Sequence, residues 1–310
     1  MIFLETMRDD SNFAPTPLRL SEAWSDGQRS TYLKLECELP TRSFKVRGAV
    51  YALTRRQEAS HVSEVVAAST GNHGAAVAYA ARRMGIPATI FVPRRSNPMK
   101  LQRMAELGAT IHEVGDLLSE AIDTAAVYAD ERSAYFLHDA NDADVPLGAG
   151  AIAMEIFTQL SVVDRIYVPM GDTALIRGVA AQAKQLCPTV RVIGVQAENA
   201  PAYYRSWKSG VVVMTQTADT IADGLATTRP LVANVERIRQ LVDEVVLVSE
   251  EELLDAIGIL LFREHVVAEP AGAAATAAWT KQLPPSGISV LLVTGGNIAP
   301  AVLKQAVARL

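Results

Sequence analysis

Several features are scarce or missing in this sequence, and each absence narrows the classes of protein it can belong to. The 310 residues include only two cysteines, Cys37 and Cys187, far apart in the chain, so we expect reduced thiols and no disulfide framework. No apolar run of about 18 residues is free of charge, so no transmembrane helix is predicted. The amino terminus, MIFLETMRDD, lacks the basic segment and the long apolar segment of a signal peptide. We therefore expect a cytoplasmic protein.

An excess of one charge is also missing. The chain has 29 basic and 34 acidic residues, mixed along its length, for a net charge of −5. A nucleic-acid-binding surface needs clustered basic residues, so no nucleic-acid partner is expected, and no membrane partner is expected either. Repeats and low-complexity segments are absent. A hydrophobic content of 49% is enough for a sizeable core, in one large domain or two medium ones.

What is present is a regular alternation of strand-like and helix-like segments. This alternation predicts an α/β fold with a parallel sheet and helices on its faces. Tyr32–Leu35 is predicted as an edge strand, and residues 198–235 as irregular. The composition changes at Asp139–Pro146, which we interpret as a crossing between domains. The other predicted strands are 62–68, 88–92, 109–114, 165–168, 191–195, 245–248 and 289–293.

One lysine has an unusual setting, in the segment Ser43-Phe44-Lys45-Val46-Arg47-Gly48. Lysine is rarely buried without a function, and burial lowers the pKa of its amine and leaves it nucleophilic. A lysine that forms a Schiff base needs this property. The alternative interpretation is an ordinary exposed pair of basic residues before a helix.

Two loops join a predicted strand to a predicted helix and are rich in small residues. The first is Ser69–Gly74 and the second is Pro169–Leu175. Backbone N–H groups in such a loop can face an anion, as can the amino terminus of the helix that follows. Each loop alone is equally consistent with a plain connection between strand and helix.

Six motifs together resemble a known family. SFKVRG, STGNHG, the 171–175 loop, TIADGLA, AEPAGA and TGGN occur in the order seen in fold-type II pyridoxal-phosphate enzymes, nearest the group of threonine/serine dehydratases and serine racemases. The resemblance implies two open, twisted, mostly parallel sheets with helices on both faces and the cofactor in a cleft between a large and a small domain. It places residues 1–55 and 144–310 in the large domain and 56–143 in a small, mobile domain. It also implies a homodimer.

The resemblance assigns a role to each motif. Lys45 would form the Schiff base with pyridoxal 5'-phosphate, Phe44 would pack against its ring, and Asn72 would bond to the ring hydroxyl. Thr294 would contact the pyridine nitrogen, with Gly224 near the cofactor edge and Glu269 near the ring. The phosphate would be held by Gly171, Asp172, Thr173, Ala174 and Leu175. The substrate carboxylate would be bound by Ser69, Thr70, Gly71, Asn72 and His73.

The sequence departs from the family pattern at several positions. Asp172 stands in a loop that is usually a run of glycines, and a carboxylate beside a phosphate is unfavourable unless its side chain turns away. Arg42 stands where glycine is common; it either pairs with an acidic substrate or is simply exposed. Gln196 and Ala202 occupy positions where metal-activated members carry carboxylates, so no metal is expected. Ser119 falls near a position where racemases carry arginine. No regulatory extension is expected after Leu310.

The function implied is a pyridoxal-phosphate-dependent ammonia-lyase, or dehydratase. It would convert a 3-hydroxy amino acid such as threonine or serine into a 2-oxo acid and ammonia by β-elimination. An amino-acid racemase and a β-replacement synthase are the alternatives on the same scaffold. In racemases of this group a serine at the position of Thr70 is a second acid/base, whereas here Thr70 is expected to have mainly a binding role. A non-catalytic binder would be expected to have lost Lys45 or Asn72, and both are present.

Overall fold

The structure, a computed structural model, describes residues 14–309. The predicted absence of a signal peptide concerns residues 1–10, which lie outside the described residues. Ten strands are β1 Leu18–Leu20, β2 Arg29–Leu35, β3 Val65–Ala68, β4 Ala88–Val92, β5 Thr110–Glu113, β6 Tyr135–Phe136, β7 Arg165–Pro169, β8 Arg191–Ala197, β9 Glu244–Val248 and β10 Gly287–Val293. The α-helices within this range are α1 Lys45–Ala59, α2 Asn72–Met84, α3 Pro98–Glu106, α4 Leu118–Glu131, α5 Asp144–Gln159, α6 Ala174–Leu186, α7 Ala202–Ser209, α8 Val232–Leu241, α9 Glu250–Arg263, α10 Pro270–Gln282 and α11 Pro300–Val307.

These strands form two sheets, as the sequence predicts. One has six strands in the order β1-β2-β10-β7-β8-β9, with β1 antiparallel and the others parallel. The other has four parallel strands in the order β5-β4-β3-β6. The predicted α/β class with two mostly parallel sheets is confirmed. Between residues 14 and 309 no helix is long and apolar enough to cross a membrane.

The chain divides into two compact units. The larger unit combines the chain up to Arg42 with the chain from Ala149, and the smaller unit is Ser43–Gly148. The predicted boundaries at 55/56 and 143/144 differ from these because they leave 43–55 and 144–148 in the larger domain. The predicted division and the mobility of the small domain remain predictions.

The larger unit surrounds a helix of small residues. Every residue of α10 from Pro270 to Trp279 is buried, and its alanines let it pack closely against the sheet and against α9. Trp279 fills the end of this core and stacks against Trp24, with ring centroids 5.8 Å apart. A helix with apolar residues on all sides is expected to be buried, and α10 is buried accordingly.

The larger unit also buries an ion pair beneath β2. The ammonium of Lys34, which is fully buried, lies 2.6 Å from the Glu155 carboxylate on α5. Lys34 also donates to the carbonyl oxygen of Thr16 at 2.7 Å, and the Thr16 hydroxyl donates to Glu36 at 2.6 Å. The prediction that Tyr32–Leu35 is an edge strand is wrong, because β1 pairs with β2 on one side and β10 on the other.

The smaller unit has its own apolar core. Val66 and Phe91 on the sheet pack against the alanines of α4, and Tyr128 meets the Phe91 ring edge-on at 5.2 Å. Several elements of the two units differ from the sequence-based expectations, among them the strand β1, which was not predicted. The two-residue strand β6 was not predicted, and the region 198–235, predicted as irregular, contains α7 and the start of α8.

Candidate active site

Lys45 is the first residue of α1 in the smaller unit. The helix begins there because the carbonyl groups of Ser43 and Phe44 accept from the amides of Val46 and Arg47. The Lys45 side chain is 17% exposed, and its ammonium lies 5.2 Å from the centre of the Phe44 ring. Its charge is paired with the carboxylate of Asp139. The environment of Lys45 is therefore largely buried and carries one opposite charge.

Two glycines fix the position of α1 within the smaller unit. A Cβ atom on Gly48 would lie 2.8 Å from the Val145 side chain, and one on Gly148 would lie 2.6 Å from the Arg47 carbonyl oxygen. Any side chain at either glycine would push the helix away from residues 145–148. The close packing also encloses the side chain of Arg47, which is 1% exposed. The alternative interpretation of an exposed basic pair is wrong, since Lys45 and Arg47 are both mostly or fully buried.

The first small-residue loop leads directly into α2. Asn72 is the first residue of the helix, Gly71 precedes it, and the Ser69 hydroxyl accepts from the Gly71 amide at 3.2 Å. Gly74 lies so close to α3 that a Cβ atom would be 2.4 Å from the Met104 sulfur. The loop thus holds the amino terminus of a 13-residue helix in a fixed position, with Ser69 and Thr70 half-buried beside it. A helix amino terminus held in this way attracts a carboxylate.

His73 and Asp139 form a buried pair in the same unit. The Nε2 atom of His73 lies 2.9 Å from the carbonyl oxygen of Leu137, and its Nδ1 atom lies 3.6 Å from the Asp139 carboxylate. Burial lowers the pKa of His73, and this effect exceeds the opposing effect of Asp139. Burial also disfavours the charge of Asp139, but the neighbouring Lys45 and His73 outweigh it and lower the pKa of Asp139 to about 2. Asp139 is ionised and His73 is neutral at pH 7.

Asp139 is a site residue that the sequence interpretation missed. It follows β6, where Leu137 continues the sheet by donating its amide to Val66. Side chains just beyond the carboxyl ends of parallel strands are placed where such folds bind ligands. The segment was instead interpreted as a crossing between domains, because a two-residue strand leaves almost no pattern in a sequence.

In the larger unit, the second small-residue loop connects β7 to α6. Thr173 has a positive φ of 70°, and its hydroxyl is buried without a hydrogen bond of ordinary geometry to the described residues. The side chain of Asp172 is turned toward Thr227, whose hydroxyl donates to it at 3.1 Å. Ala174 and Leu175 are buried at the start of α6. A buried hydroxyl beside a helix amino terminus suits a phosphate, and Asp172 is held by a partner of its own.

The segment around Gly224 lies against this loop. A Cβ atom on Gly171 would be 2.2 Å from the Gly224 carbonyl oxygen, and one on Gly224 would be 3.0 Å from the Cβ atom of Ala271. Residues 223–225 form a short 3-10 helix. Three sequence motifs, at 171–175, 220–226 and 269–272, are therefore brought into contact at one place in the larger unit.

The segment that follows β10 meets the start of α10. Glu269 precedes that helix and donates its amide to the Gly295 carbonyl at 3.0 Å, and a Cβ atom on Gly272 would lie 2.3 Å from the same oxygen. The buried Thr294 hydroxyl donates to the Ala271 carbonyl at 3.4 Å. Because this hydrogen bond is long, the Thr294 hydroxyl can also accept a hydrogen bond or donate its hydrogen to another acceptor.

Arg42 is held near the same segment by its backbone. Its carbonyl oxygen accepts from the Gly296 amide at 2.9 Å, and its φ of 57° is in the left-handed region that favours glycine. The family's preference for glycine at this position thus has a conformational reason. The Arg42 side chain is exposed, as the simpler of the two interpretations predicts.

Gln196, Ala202 and Ser119 are the remaining departures from the family pattern. The buried Gln196 side chain accepts from the Tyr204 amide at 2.8 Å and donates to the Met170 carbonyl at 3.5 Å. Its amide therefore links the end of β8 to α7, which begins at Ala202. Ser119 is exposed on the first turn of α4.

Each unit, taken by itself, has residues that fit groups of pyridoxal phosphate or of an amino-acid substrate. The larger unit supplies a buried hydroxyl, Thr173, at a helix amino terminus for an anion, and a second buried hydroxyl, Thr294. The smaller unit supplies the amine of Lys45 for an aldehyde and the helix amino terminus at Asn72 for a carboxylate. Each of these groups is one that such a cofactor or an amino-acid substrate would need.

Comparisons with known proteins agree with this chemistry. The sequence pattern of the family described as "Pyridoxal-phosphate dependent enzyme" matches residues 10–295. An L-threonine ammonia-lyase of Thermotoga maritima is 41% identical over 268 residues, which cover 86% of this chain and 67% of that protein.

Two solved structures have similar folds. A processed threonine deaminase isoform 2 from Solanum lycopersicum has a TM-score of 0.91 at 27% identity, covering 99% of this chain and 87% of the other. Maize serine racemase has a TM-score of 0.88 at 28% identity, covering 96% of this chain and 92% of the other. From its sequence, its fold and the donor groups described above, the chain belongs to the family of pyridoxal-phosphate-dependent enzymes.

Proposed function

We propose that the protein is an ammonia-lyase that converts a 3-hydroxy amino acid, threonine or serine, into a 2-oxo acid and ammonia by β-elimination. The observation that carries this proposal is the 41% identity with an L-threonine ammonia-lyase over 86% of the chain. The largely buried Lys45 amine and the helix amino terminus at Asn72 support it, because an amino acid needs both a base and a carboxylate site.

Each motif has a part in this reaction. The loop 171–175 would hold the cofactor phosphate, Phe44 would pack on the ring, and Asn72 would bond to the ring hydroxyl. Bound pyridoxal phosphate would supply a sink for the electron pair released at the substrate α-carbon. The residues 69–73 would bind the substrate carboxylate and so orient the α-hydrogen toward Lys45. The Lys45 amine would then remove this hydrogen as a proton.

The neutral hydroxyl of Thr294 favours elimination over reactions that need a long-lived carbanion. A carboxylate at the pyridine nitrogen would hold a proton there, whereas a threonine hydroxyl cannot. Thr294 is buried, and its hydroxyl contacts the carbonyl of Ala271. The electron pair released at the α-carbon would therefore form the second bond between the α- and β-carbons, and the β-hydroxyl group would leave with the electron pair of the C–O bond.

A racemase is the second candidate, favoured by the similarity to maize serine racemase. Thr70 keeps the hydroxyl that a second acid/base on the opposite face would need. A threonine hydroxyl has a high pKa, and its branched side chain restricts χ1, so we assign Thr70 mainly to binding the carboxylate.

The test is a screen of 3-hydroxy amino acids for release of 2-oxo acid, with Lys45→Ala as the inactive control. The remaining substrate is analysed for its D-isomer after turnover of the L-isomer in deuterated water. Release of 2-oxo acid with little D-isomer supports the lyase. Substantial deuterated D-isomer that disappears in Thr70→Ala would make the racemase the better assignment. For the lyase, Thr70→Ala should weaken substrate binding by roughly 0.5–1.5 kcal/mol, the worth of one hydrogen bond.

We also propose a cytoplasmic homodimer that acts on a small amino acid. Light scattering after gel filtration measures the mass, which for the 33.3 kDa chain should be twice that value.

A further inference from the structure

Asp139 lies between two side chains of the proposed active site. One of its carboxylate oxygens is paired with the Lys45 ammonium. The other is buried, makes no hydrogen bond to the described residues, and lies 3.6 Å from the Nδ1 atom of His73. Lys45 and Asp139 are 94 positions apart in the chain, so the fold and not the local sequence brings them together.

His73 cannot neutralise this carboxylate. Its Nε2 atom faces the carbonyl oxygen of Leu137 at 2.9 Å, and a carbonyl can only accept, so this nitrogen carries the hydrogen. In the neutral ring the Nδ1 atom then has a bare lone pair and has no hydrogen to donate to Asp139. Burial lowers the pKa of His73 and keeps the ring in this neutral form.

The remaining titratable group near Asp139 is His138. Its Nδ1 atom accepts from the amide of Ala140 at 3.1 Å, so the local backbone orients this ring. Among the described residues, Lys45 is therefore the cation that both forms an ion pair with Asp139 and donates a hydrogen bond to it. A carboxylate that is 15% exposed needs a positive charge beside it, because an unpaired buried charge is costly.

We propose that Asp139 is a positioning residue that keeps a positive charge on the Lys45 nitrogen, both when this nitrogen is bonded to the cofactor and after it has taken the substrate proton. This inference rests on the proposed role of Lys45. It assigns to Asp139 a function that the family motifs leave out.

The proposal has a chemical consequence in the elimination. The C–H bond at the α-carbon breaks and its proton forms a new N–H bond on Lys45. The electron pair of that bond becomes the second bond between the α- and β-carbons, and the β-hydroxyl leaves with the pair of the C–O bond. In the structure this nitrogen is paired with the Asp139 carboxylate, so an opposite charge lies beside the ammonium that results.

The test uses the holoenzyme and follows the visible absorption of the cofactor bonded to Lys45 as the pH is raised. The matched control is Asp123→Asn, an exposed acidic residue of α4 in the same unit. The pH midpoint of the absorption change is the quantity compared. An opposite charge this close generally raises the pKa of a cationic nitrogen by about 1 to 3 pH units, so Asp139→Asn should lower this midpoint by that amount. Asp123→Asn should leave the midpoint unchanged. A midpoint in Asp139→Asn equal to that of the wild-type protein would overturn the inference.

A second variant distinguishes the effect of Lys45 on the Asp139 carboxylate from the effect of His73. His73→Gln should leave the midpoint within a few tenths of the wild-type value, because His73 carries no charge there. A shift as large as that of Asp139→Asn would mean that His73 supplies the charge, and the proposal would be wrong. If Asp139→Asn does not fold, the wild-type titration decides, because a midpoint below neutral pH would contradict a carboxylate partner.

A different experiment tests the proposed function itself. Borohydride reduction of the wild-type holoenzyme should attach the cofactor to Lys45, as seen by mass spectrometry. An adduct on Lys34 or Lys100 would refute the assignment of Lys45 itself. An adduct on Lys45 together with an unchanged titration in Asp139→Asn would refute only the role of Asp139.

Discussion

Gly171 lies so close to Gly224 that a Cβ atom on Gly171 would be 2.2 Å from the carbonyl oxygen of Gly224. The contact joins the proposed phosphate loop to the 3-10 helix at 223–225, which in turn lies against Ala271. A side chain at Gly171 would therefore displace backbone on both sides.

We predict that Gly171→Ala lowers the free energy of unfolding by about 1–3 kcal/mol, the usual cost of overpacking, and weakens cofactor binding. Gly27→Ala is the matched control, because nothing lies within 4 Å of a Cβ atom at that glycine. Denaturant unfolding gives the stability, and fluorescence titration gives the affinity for the cofactor. If Gly171→Ala and Gly27→Ala changed the unfolding free energy and the cofactor affinity equally, the loop at Gly171 would be able to shift without loss of stability.

The buried pair Lys34–Glu155 leads to a second prediction. Lys34→Met should cost about 3–5 kcal/mol, because it leaves the buried Glu155 carboxylate without its cation. Lys281→Met is the control, since Lys281 pairs with Glu252 at the surface, where a pair contributes about 0–1 kcal/mol. Adding Glu155→Gln to Lys34→Met should recover part of the loss. Urea unfolding of the wild-type protein and the three variants measures their free energies of unfolding. A Lys34→Met variant that is no less stable than Lys281→Met would refute the prediction.

Much of the fold could be predicted from the sequence where a local pattern determines the structure. The strand 88–92 has the predicted bounds, because five residues are enclosed by Pro87 and Pro93. Gly85 ends α2 with a φ of 66°, as expected for a helix-terminating glycine. The Ser249 capping box is present, with Ser249 and Glu252 bonding to each other's amides at 3.2 and 2.8 Å.

The failures occur where the relevant contact is distant in the chain or where an element is too short to leave a pattern in the sequence. The strand β2 was wrongly predicted at an edge because its outer partner β1 has only three residues. The burial of Lys34 depends on Glu155, 121 positions away. The role proposed for Asp139 depends on its ion pair with Lys45, which is 94 positions away in the chain. The motifs predict which residues form the site, and this assignment stays a prediction. The charge partner of Lys45 is seen only in the fold.

Thr173 provides a third prediction, for the phosphate loop. Thr173→Val keeps the branched shape at the same positive φ and removes only the buried hydroxyl. A hydrogen bond to a charged group contributes about 1.5–3 kcal/mol, so the dissociation constant for the cofactor should rise about 10- to 100-fold. Thr173→Ser, which keeps the hydroxyl, should bind nearly as well as the wild-type protein. An unchanged affinity in Thr173→Val would exclude the hydroxyl as a phosphate ligand.

Activity is predicted to be independent of divalent metal ions. Both functional groups of the buried Gln196 side chain already bond to the backbone, at Tyr204 and Met170, and Ala202 has no ligand atom in its side chain. A hard divalent cation needs several oxygen ligands, usually carboxylates. Release of 2-oxo acid should survive dialysis against a chelator. Loss of activity that Mg²⁺ or Ca²⁺ restores would show that other residues form a metal site.

The last prediction concerns the stability of the protein below neutral pH. Burial lowers the pKa of His73 in the folded chain from its usual value of 6.5. The titratable groups that face it are Asp139, Lys45 and His138, and the raising effect of Asp139 does not overcome burial. Below pH 6.5 the unfolded chain therefore binds a proton at His73 that the folded chain does not bind. The free energy of unfolding should fall as the pH falls through this range, by up to about 1.4 kcal/mol per pH unit.

Urea unfolding of the cofactor-free chain between about pH 8 and about pH 5, the range in which histidine titrates, measures this dependence. His73→Gln removes the titrating group, so its unfolding free energy should fall less steeply over the same range, even if its stability at neutral pH is lower. His61→Gln, a change at an exposed histidine of the same unit, should leave the slope as it is in the wild-type protein. The same slope in His73→Gln as in the wild-type protein would mean that folding leaves the pKa of His73 unchanged, against the prediction. A steeper fall in His73→Gln than in the wild-type protein would mean that the ring is already protonated in the folded state, and Asp139 would then have a second cationic neighbour.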